Sequence, residues 1–404
     1  MTPLDSFTMS RRTLAVAAAS ALLLAGCGRT DAPAAGTTKD SGSPIVIVGS
    51  FAQSGPLAVT GTLGKGVAAH FDKIAAGGGI NGRKVTFIQY DDGYDPSRLA
   101  ANARRAVEQD KATIFLSFGG PSLSVRQYLN QNKVLHVVFA GNTPFSQVQQ
   151  FPYTHAWWPD LGWESAIGAA YLKKENPSVK IGVLGFNNDL TDSQAAGLEA
   201  GGVKPALVLK VPPTQQDTTS QVTQLKAAGV DAVMLSVGNA QIIGTVKYMN
   251  QIGFRPKTFV YSSAAGRLST IAPLAGAAKG LYSTLWLADP ADPSRQQDAD
   301  LATYRDDVAK YGQGADANDV LVLNGYALAT ALGNVISSAE GSDAEAYNTA
   351  WNAIKGLKVP GLLGPASAGP GGRLVYSYQV TQYDGNTWVP AGGVQDATSL
   401  GYAK

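Results

Sequence analysis

Three histidines, one cysteine and scattered carboxylates are all that this 404-residue chain offers to catalysis or metal binding. His70, His136 and His155 lie far apart, and Cys27 is the sole thiol. No run of His, Cys, Asp and Glu has the spacing of a zinc site. No Gly-x-Ser-x-Gly elbow is present to present a serine nucleophile. His136 stands inside an apolar run, where a satisfied core or edge histidine is expected. Gly61-Thr62-Leu63-Gly64-Lys65-Gly66 is glycine-rich but fits neither the phosphate-binding loop nor the dinucleotide fingerprint. It reads as a flexible entry to a helix. Asp91-Asp92 has the look of an acid pair, but solvated strand-end residues, one of them capping the next helix, account for it better. The sequence therefore predicts no catalytic residue, no metal and no cofactor.

What remains is non-covalent binding. In open α/β sheets, ligands sit beyond the carboxyl ends of the strands. Helix amino termini there offer free N–H groups and a positive dipole end. Three loops fit that description: 51–56, which carries Gln53; Gly119-Gly120-Pro121-Ser122; and Ala140-Gly141-Asn142-Thr143. Asn187-Asn188-Asp189 and Asn239 end later strands and offer further hydrogen bonds to a polar ligand.

The elements that must position these loops alternate in type. Ile45–Val48 is a continuous β-branched run between Pro44 and Gly49, the pattern of a buried strand. Strands also fit 85–90, 113–117 and 134–139, with helices at 64–76, 98–109 and 123–132. The rhythm breaks at Asn142–Asp160 and restarts. Helices at 161–174, 195–201, 220–228 and 240–251 then interleave with strands at 180–184, 206–211, 231–236 and 258–261. Such alternation predicts parallel sheets covered on both faces. A strand at 281–287 is followed by helices at 297–311, 320–338 and 344–354. The chain closes on a strand at 373–383 and a hairpin through Asp384-Gly385-Asn386, where Asp-Gly is a strong turn signal.

One stretch says more than its elements do. Gly77-Gly78-Gly79-Ile80-Asn81-Gly82-Arg83 ends a helix and turns, the strand 85–90 follows, and Asp91-Asp92-Gly93-Tyr94-Asp95-Pro96 opens the next helix with Pro at its first position. This string resembles the amino-terminal lobe of type I periplasmic solute-binding proteins, in the branch that serves branched-chain amino-acid importers. The resemblance covers about residues 44 to 390. It implies an α/β fold of two lobes, each a parallel-sheet sandwich with helices on both faces, and three inter-lobe crossings. Lobe one would hold 44–159 and 286–378, and lobe two 160–285 and 379–404. In amino-acid-binding relatives the second and third loops hold the ligand carboxylate. The resemblance places Ala140 at their backbone donor and Asn142 at their threonine, with Gly120, Ser122 and Thr143 beside them. Their serine falls near Gly119, so Ser122 is a shifted substitute. The acid that holds the ligand ammonium falls in Tyr261-Ser262-Ser263-Ala264, which has none. Asp160 or Asp189 would have to substitute, because a buried ammonium without a counter-charge is costly. Trp157-Trp158 falls at the first crossing, where Trp157, if it faces inward, would close over the ligand.

The amino terminus reads as a leader. Arg11-Arg12 precede a short apolar run that ends in Leu24-Ala25-Gly26-Cys27. The run is too short for a permanent span and has the anatomy of an export signal. Leu-Ala-Gly-Cys resembles a lipobox, which implies cleavage before Cys27 and lipidation of it. Ser10-Arg11-Arg12-Thr13-Leu14 fits either a twin-arginine or a general secretory signal. A lone cysteine leaves no intrachain disulfide, and residues 28–43 have the composition of a flexible tether. With Lys+Arg at 32 and Asp+Glu at 30, there is no electrostatic case for nucleic acid. The expectation is a monomeric lipoprotein on the outer face of the cytoplasmic membrane that binds a small polar or amino-acid-like ligand and passes it to the membrane subunits of an ABC importer. A sensor of the same fold and an exported enzyme are the alternatives.

Overall fold

The computed structural model describes residues 42–403, apart from Pro56, 263–267 and Gln296. The expected export signal, the expected lipidation of Cys27 and nearly all of the expected tether fall outside the described residues. Two sheets organise the rest. The first has strands β1 (Ile45–Phe51), β2 (Val85–Asp91), β3 (Ile114–Phe118), β4 (Leu135–Phe139) and β5 (Thr154–Ala156). Their order is β2-β1-β3-β4-β5 and every pairing is parallel. Helices α1 (Thr62–Ala76), α2 (Pro96–Glu108) and α3 (Leu123–Gln131) connect them. β4 is buried along its whole length, as expected of a strand covered on both faces. β5 occupies part of the stretch where the sequence rhythm broke. Three residues are too few to show a period, so the strand was not foreseen.

The joint between α1 and β2 forms as its residues demand. Gly78, Gly79, Asn81 and Gly82 all have positive φ. A Cβ on Gly79 would meet the Arg83 carbonyl oxygen at 2.0 Å, so the turn needs glycine there. Asp95 caps α2, its carboxylate accepting from Ser97 N and Arg98 N at 2.8 and 2.9 Å, with Pro96 at the first helical position.

The second sheet contains β6 (Ile181–Phe186), β7 (Leu207–Val211), β8 (Ala232–Ser236), β9 (Lys257–Val260), β10 (Tyr282–Leu285), β11 (Ser377–Tyr383) and β12 (Trp388–Pro390). The order is β12-β11-β10-β9-β8-β6-β7, with β13 (Gln395–Asp396) paired to β11. Pairings from β7 to β10 are parallel, and those of β11 are antiparallel. The hairpin joining β11 to β12 forms where expected, with Asp384 Oδ1 accepting from Asn386 N and Thr387 N. Helices α4 (Leu161–Glu175), α5 (Asp189–Ala200), α6 (Thr219–Ala227) and α7 (Asn239–Gln251) accompany this sheet. α5 starts six residues earlier than expected. Asn188 caps it by accepting from Thr191 N, and Asp189 and Asp192 in its first turn suit the positive helix end.

Helices α8 (Ala299–Tyr311), α9 (Val320–Ser338) and α10 (Ala344–Asn352) follow β10. α9 is apolar and long enough to cross a membrane, but 78% of its most apolar window is buried inside the protein, as in a core helix. It crosses α1 at near backbone contact. A Cβ on Gly66 would lie 1.9 Å from the Val322 carbonyl oxygen, and one on Gly325 would lie 1.9 Å from that of Leu63. This crossing seats the segment that follows β10 against the first sheet, while β11 returns the chain to the second.

Candidate functional site

The loops beyond the carboxyl ends of both sheets meet in a cleft. Thr143, after β4, lies against Ser193 of α5, with their hydroxyls 3.1 Å apart. Tyr94, after β2, lies near Tyr261, after β9, and the proximity of that second phenol helps raise its pKa after burial, the largest cause.

The first loop is tied down by Asp91. Its carboxylate accepts from Gln53 N (2.8 Å), Ser54 Oγ (2.6 Å) and Gly93 N (2.9 Å), and pairs with Arg98 at 2.8 Å. Burial opposes ionisation, but these bonds outweigh it and hold the carboxyl well below the usual range. Asp92 is 4% exposed and accepts from Ser50 Oγ and Tyr94 N, and its burial raises its pKa. The two acids are thus fasteners for the loops rather than solvated residues, and the helix cap is Asp95.

Several expected ligand groups are spent inside the protein. Ser122 is fully buried and accepts from Ser117 Oγ at 2.8 Å, and the Ser117 hydroxyl also lies 2.8 Å from His136 Nε2. Gly120, by contrast, is exposed, beside the Tyr94 hydroxyl. Ala140 is 4% exposed and donates its N–H to the Val138 carbonyl, so it is no free backbone donor. Ser262 donates from both N and Oγ to the two oxygens of Glu164, at 2.7 and 2.8 Å, and accepts from Trp286 Nε1. Trp157 is fully buried and donates from Nε1 to Asn324 Oδ1, so it packs in the core and does not close over a ligand. The reason is common to the buried ones. Each sits where a strand end meets a second layer, and a buried polar atom there must find a partner.

Other expected residues stay on the cleft loops. Gln53 and Asn187 are exposed, and Asn142, Asn239 and Tyr261 are half-buried. Asn239 opens α7. The Asn142 carbonyl is engaged from behind by Arg373 Nη2 at 3.2 Å.

Two residues that the sequence did not single out hold the site together. Arg373 is fully buried. Its guanidinium donates to the carbonyls of Trp158, Gly141 and Asn142, to Ser146 Oγ and to Asp160, and lies over the Trp163 ring. It thereby joins the segment entering β11 to the loop after β4 and to the crossing at 157–160. Asp160 also caps α4 through Gly162 N, so it is not a free acid for a ligand ammonium. Burial raises its pKa against the pull of Arg373. Glu164, in the first turn of α4, brings to Ser262 the acid that the local sequence lacks, and burial pushes its pKa up to about 8. The available signal for each was a lone charge inside an apolar stretch: Glu164 among Trp163, Ala166 and Ile167, and Arg373 ahead of Leu374-Val375.

The histidines stay apart. Burial holds His136 down to about 3, and His70 and His155 to about 4, so all three are neutral near pH 7. His155 stacks on Trp351 at 5.0 Å and bonds to Gly372 and Asn348. Among the described residues no three His, Cys, Asp or Glu side chains come together as a metal site.

A different set of side chains lines lobe one at the cleft. The Tyr94, Phe118 and Trp158 rings touch in series, with centroids 5.9 and 5.6 Å apart, and each keeps part of its surface open. The sequence reading chose Trp157 of the tryptophan pair; the open ring is that of Trp158.

Comparison with known proteins agrees with this architecture. Residues 44–387 match the periplasmic binding protein family. A Leu/Ile/Val-binding protein homolog of Brucella melitensis is 26% identical over 186 residues, which are 45% of this chain and 50% of that protein. The chain therefore matches about half the length of that curated relative. A branched chain amino acid ABC transporter protein of Thermus thermophilus, solved with bound valine, superposes with a TM-score of 0.77 at 15% identity, covering 89% of this chain and 98% of that one. An ABC-transporter solute-binding protein of R. palustris in complex with 4-hydroxybenzoate gives 0.72 at 18% identity, covering 88% and 97%. Two α/β lobes, a cleft between the carboxyl ends of their strands and a match over most of the chain make this protein a member of the periplasmic binding protein family, with the two-lobed type I fold.

Proposed function

We propose that this protein is the extracytoplasmic binding component of an ABC importer. It captures a small molecule between its lobes and presents the closed form to the membrane subunits. The observation that carries this reading is the contact of side chains from both lobes across one cleft, with the Thr143 and Ser193 hydroxyls 3.1 Å apart. A ligand held by both lobes favours closure, because it has more contacts in the closed state than in the open one. Lobe one takes 44–159 with 286–378, and lobe two takes 160–285 with 379–404. Gln53, Asn142, Thr143, Asn187, Asn239 and Tyr261 are the polar contacts. Similarity to Leu/Ile/Val-binding proteins and to a 4-hydroxybenzoate-binding protein supports a ligand of amino-acid or small-acid size. The protein works as a monomer, exported and anchored through a lipid on Cys27.

Small-angle scattering tests capture. The ligand is first released from the denatured purified protein and identified by mass spectrometry, then added back to the empty form. Compaction at saturation is expected, and an unchanged profile rejects closure. For the anchor, Cys27→Ala should leave the membrane fraction or accumulate unprocessed. If it is cut and retained normally, no lipid is attached there.

A further inference from the structure

The lobe-one wall of the cleft is built from rings, and the way it is built carries information about the ligand. Tyr94 has φ +63°. That is an outlier for a bulky residue, and such strain persists only where the surroundings impose it. Gly119, itself at φ +69°, leaves room for the Tyr94 ring: a Cβ there would lie 2.9 Å from it. Phe118 then meets Tyr94 on one side and Trp158 on the other, edge-on to Trp158 with an interplanar angle of 79°. Arg373 fixes the backbone of Trp158 through its carbonyl. Tyr94 is 37% exposed, whereas Phe51, Phe115 and Phe139 in the same sheet are completely covered. A fold that can bury aromatic rings has left three in contact at the mouth of its cleft, one of them on strained backbone.

The charge of the same surface narrows the choice. The lobe-one loops 51–61, 92–95, 119–122 and 140–160 contain no lysine or arginine, but do contain Asp92, Asp95 and Asp160. Of the guanidinium groups that reach these loops, Arg98 and Arg373 are paired with Asp91 and Asp160, and Arg126 donates to the Pro144 carbonyl at 2.6 Å and lies over the Phe151 ring. A buried anion needs a cationic partner, and the cations that reach this surface are engaged within the protein. Trp158 Nε1, buried and without an acceptor among the described residues, is a donor that an uncharged carbonyl oxygen would satisfy.

We propose that the cleft takes a planar aromatic molecule without negative charge, laid against Tyr94, Phe118 and Trp158, with Tyr261 closing from the second lobe. This rests on the reading of the cleft as the ligand site and names the class of ligand. An aromatic face gains from offset and edge-on ring contacts that a saturated ring of the same size cannot make.

The test is calorimetric titration of the empty mature protein with benzamide, cyclohexanecarboxamide, benzoate and leucine. Benzamide should bind at least tenfold more tightly than cyclohexanecarboxamide and more tightly than benzoate. Phe118→Leu and Trp158→Leu should each remove most of the preference for the aromatic amide, with circular dichroism confirming that both variants fold. Equal affinity for the two amides, tighter binding of benzoate or leucine, or no benzamide binding up to its solubility overturns the assignment. Leucine binding accompanied by compaction in scattering would reject the aromatic ligand and leave the capture function standing. Failure of compaction with ligand recovered from the native protein would reject the capture function itself.

Discussion

Two regions a few residues apart treat similar side chains in opposite ways. At the crossing between the sheets, Trp157, Asp160, Glu164, Ser262 and Arg373 are buried and bonded to one another's neighbourhoods. At the cleft, Tyr94, Phe118 and Trp158 keep open surface and touch through their rings. Trp157 and Trp158 are adjacent in sequence and fall on opposite sides of this divide. Some of the polar groups that invite a ligand when read from the chain, Ser122, Ala140 and Ser262 among them, are bonded inside the protein, while Gln53, Asn142 and Asn187 stay on the cleft loops beside three partly open rings. A motif rich in donors is therefore weak evidence of a binding site until the partners of those donors are known.

The comparison predicts a graded set of effects. The largest belongs to the crossing. Arg373→Met strands the buried Asp160 carboxylate and several carbonyls, and should cost about 3–5 kcal/mol in denaturant unfolding; a loss under about 1 kcal/mol would mean that Arg373 does not fasten the crossing. Trp157→Ala should cost a similar amount, about 3–5 kcal/mol, because it empties a core site and leaves Asn324 without its indole donor. Trp158→Ala, on the open side, should cost clearly less in unfolding while weakening ligand binding. If both substitutions destabilise equally, the division between the two tryptophans fails.

Glu164 sharpens the contrast through pH. Its folded pKa is raised from 4.5 to about 8 by burial. Above 4.5 the unfolded chain releases this proton while the folded protein keeps it. This group's contribution is therefore complete below about pH 4.5 and is lost as pH rises through 8, with a slope of up to about 1.4 kcal/mol per pH unit. The stability of the native protein relative to Glu164→Gln should fall across that window, and a flat difference would place an ionised Glu164 at neutral pH. The histidines act in the opposite sense. With folded values of about 3 to 4, they stabilise above pH 6.5 and lose that contribution as the solution is acidified. The smallest effect is local: Asp95→Ala removes the cap of α2 and should cost about 1 kcal/mol, with no change in ligand affinity.

Much of the fold was legible before any coordinates. The alternation of strands and helices, the turn between α1 and β2, the Asp95-Pro96 helix entry and the Asp384-Gly385 hairpin all form as the residues indicate. These signals are local: a cap reads its own next two or three N–H groups, and a tight turn needs glycine at a fixed position. The elements missed were short, like β5, or extended by a cap, like the start of α5. The site was less legible. Asn142, Thr143 and Tyr261 lie on cleft loops, whereas Ser122, Ala140, Ser262 and Trp157 are committed inside the protein.

Local chemistry in the sequence was enough to determine the repeating strand–helix units. Which of its polar and aromatic side chains remain available was decided only by the tertiary structure. Glu164 reaches Ser262 across 98 residues, and Arg373 reaches the Trp158 carbonyl across 215. A donor's partner is set by which layers are packed together, and burial makes that partnership obligatory. Local patterning carries no record of contacts at such separations, so the same letters read as a ligand cradle in one dimension and as a sealed crossing beside a wall of rings in three.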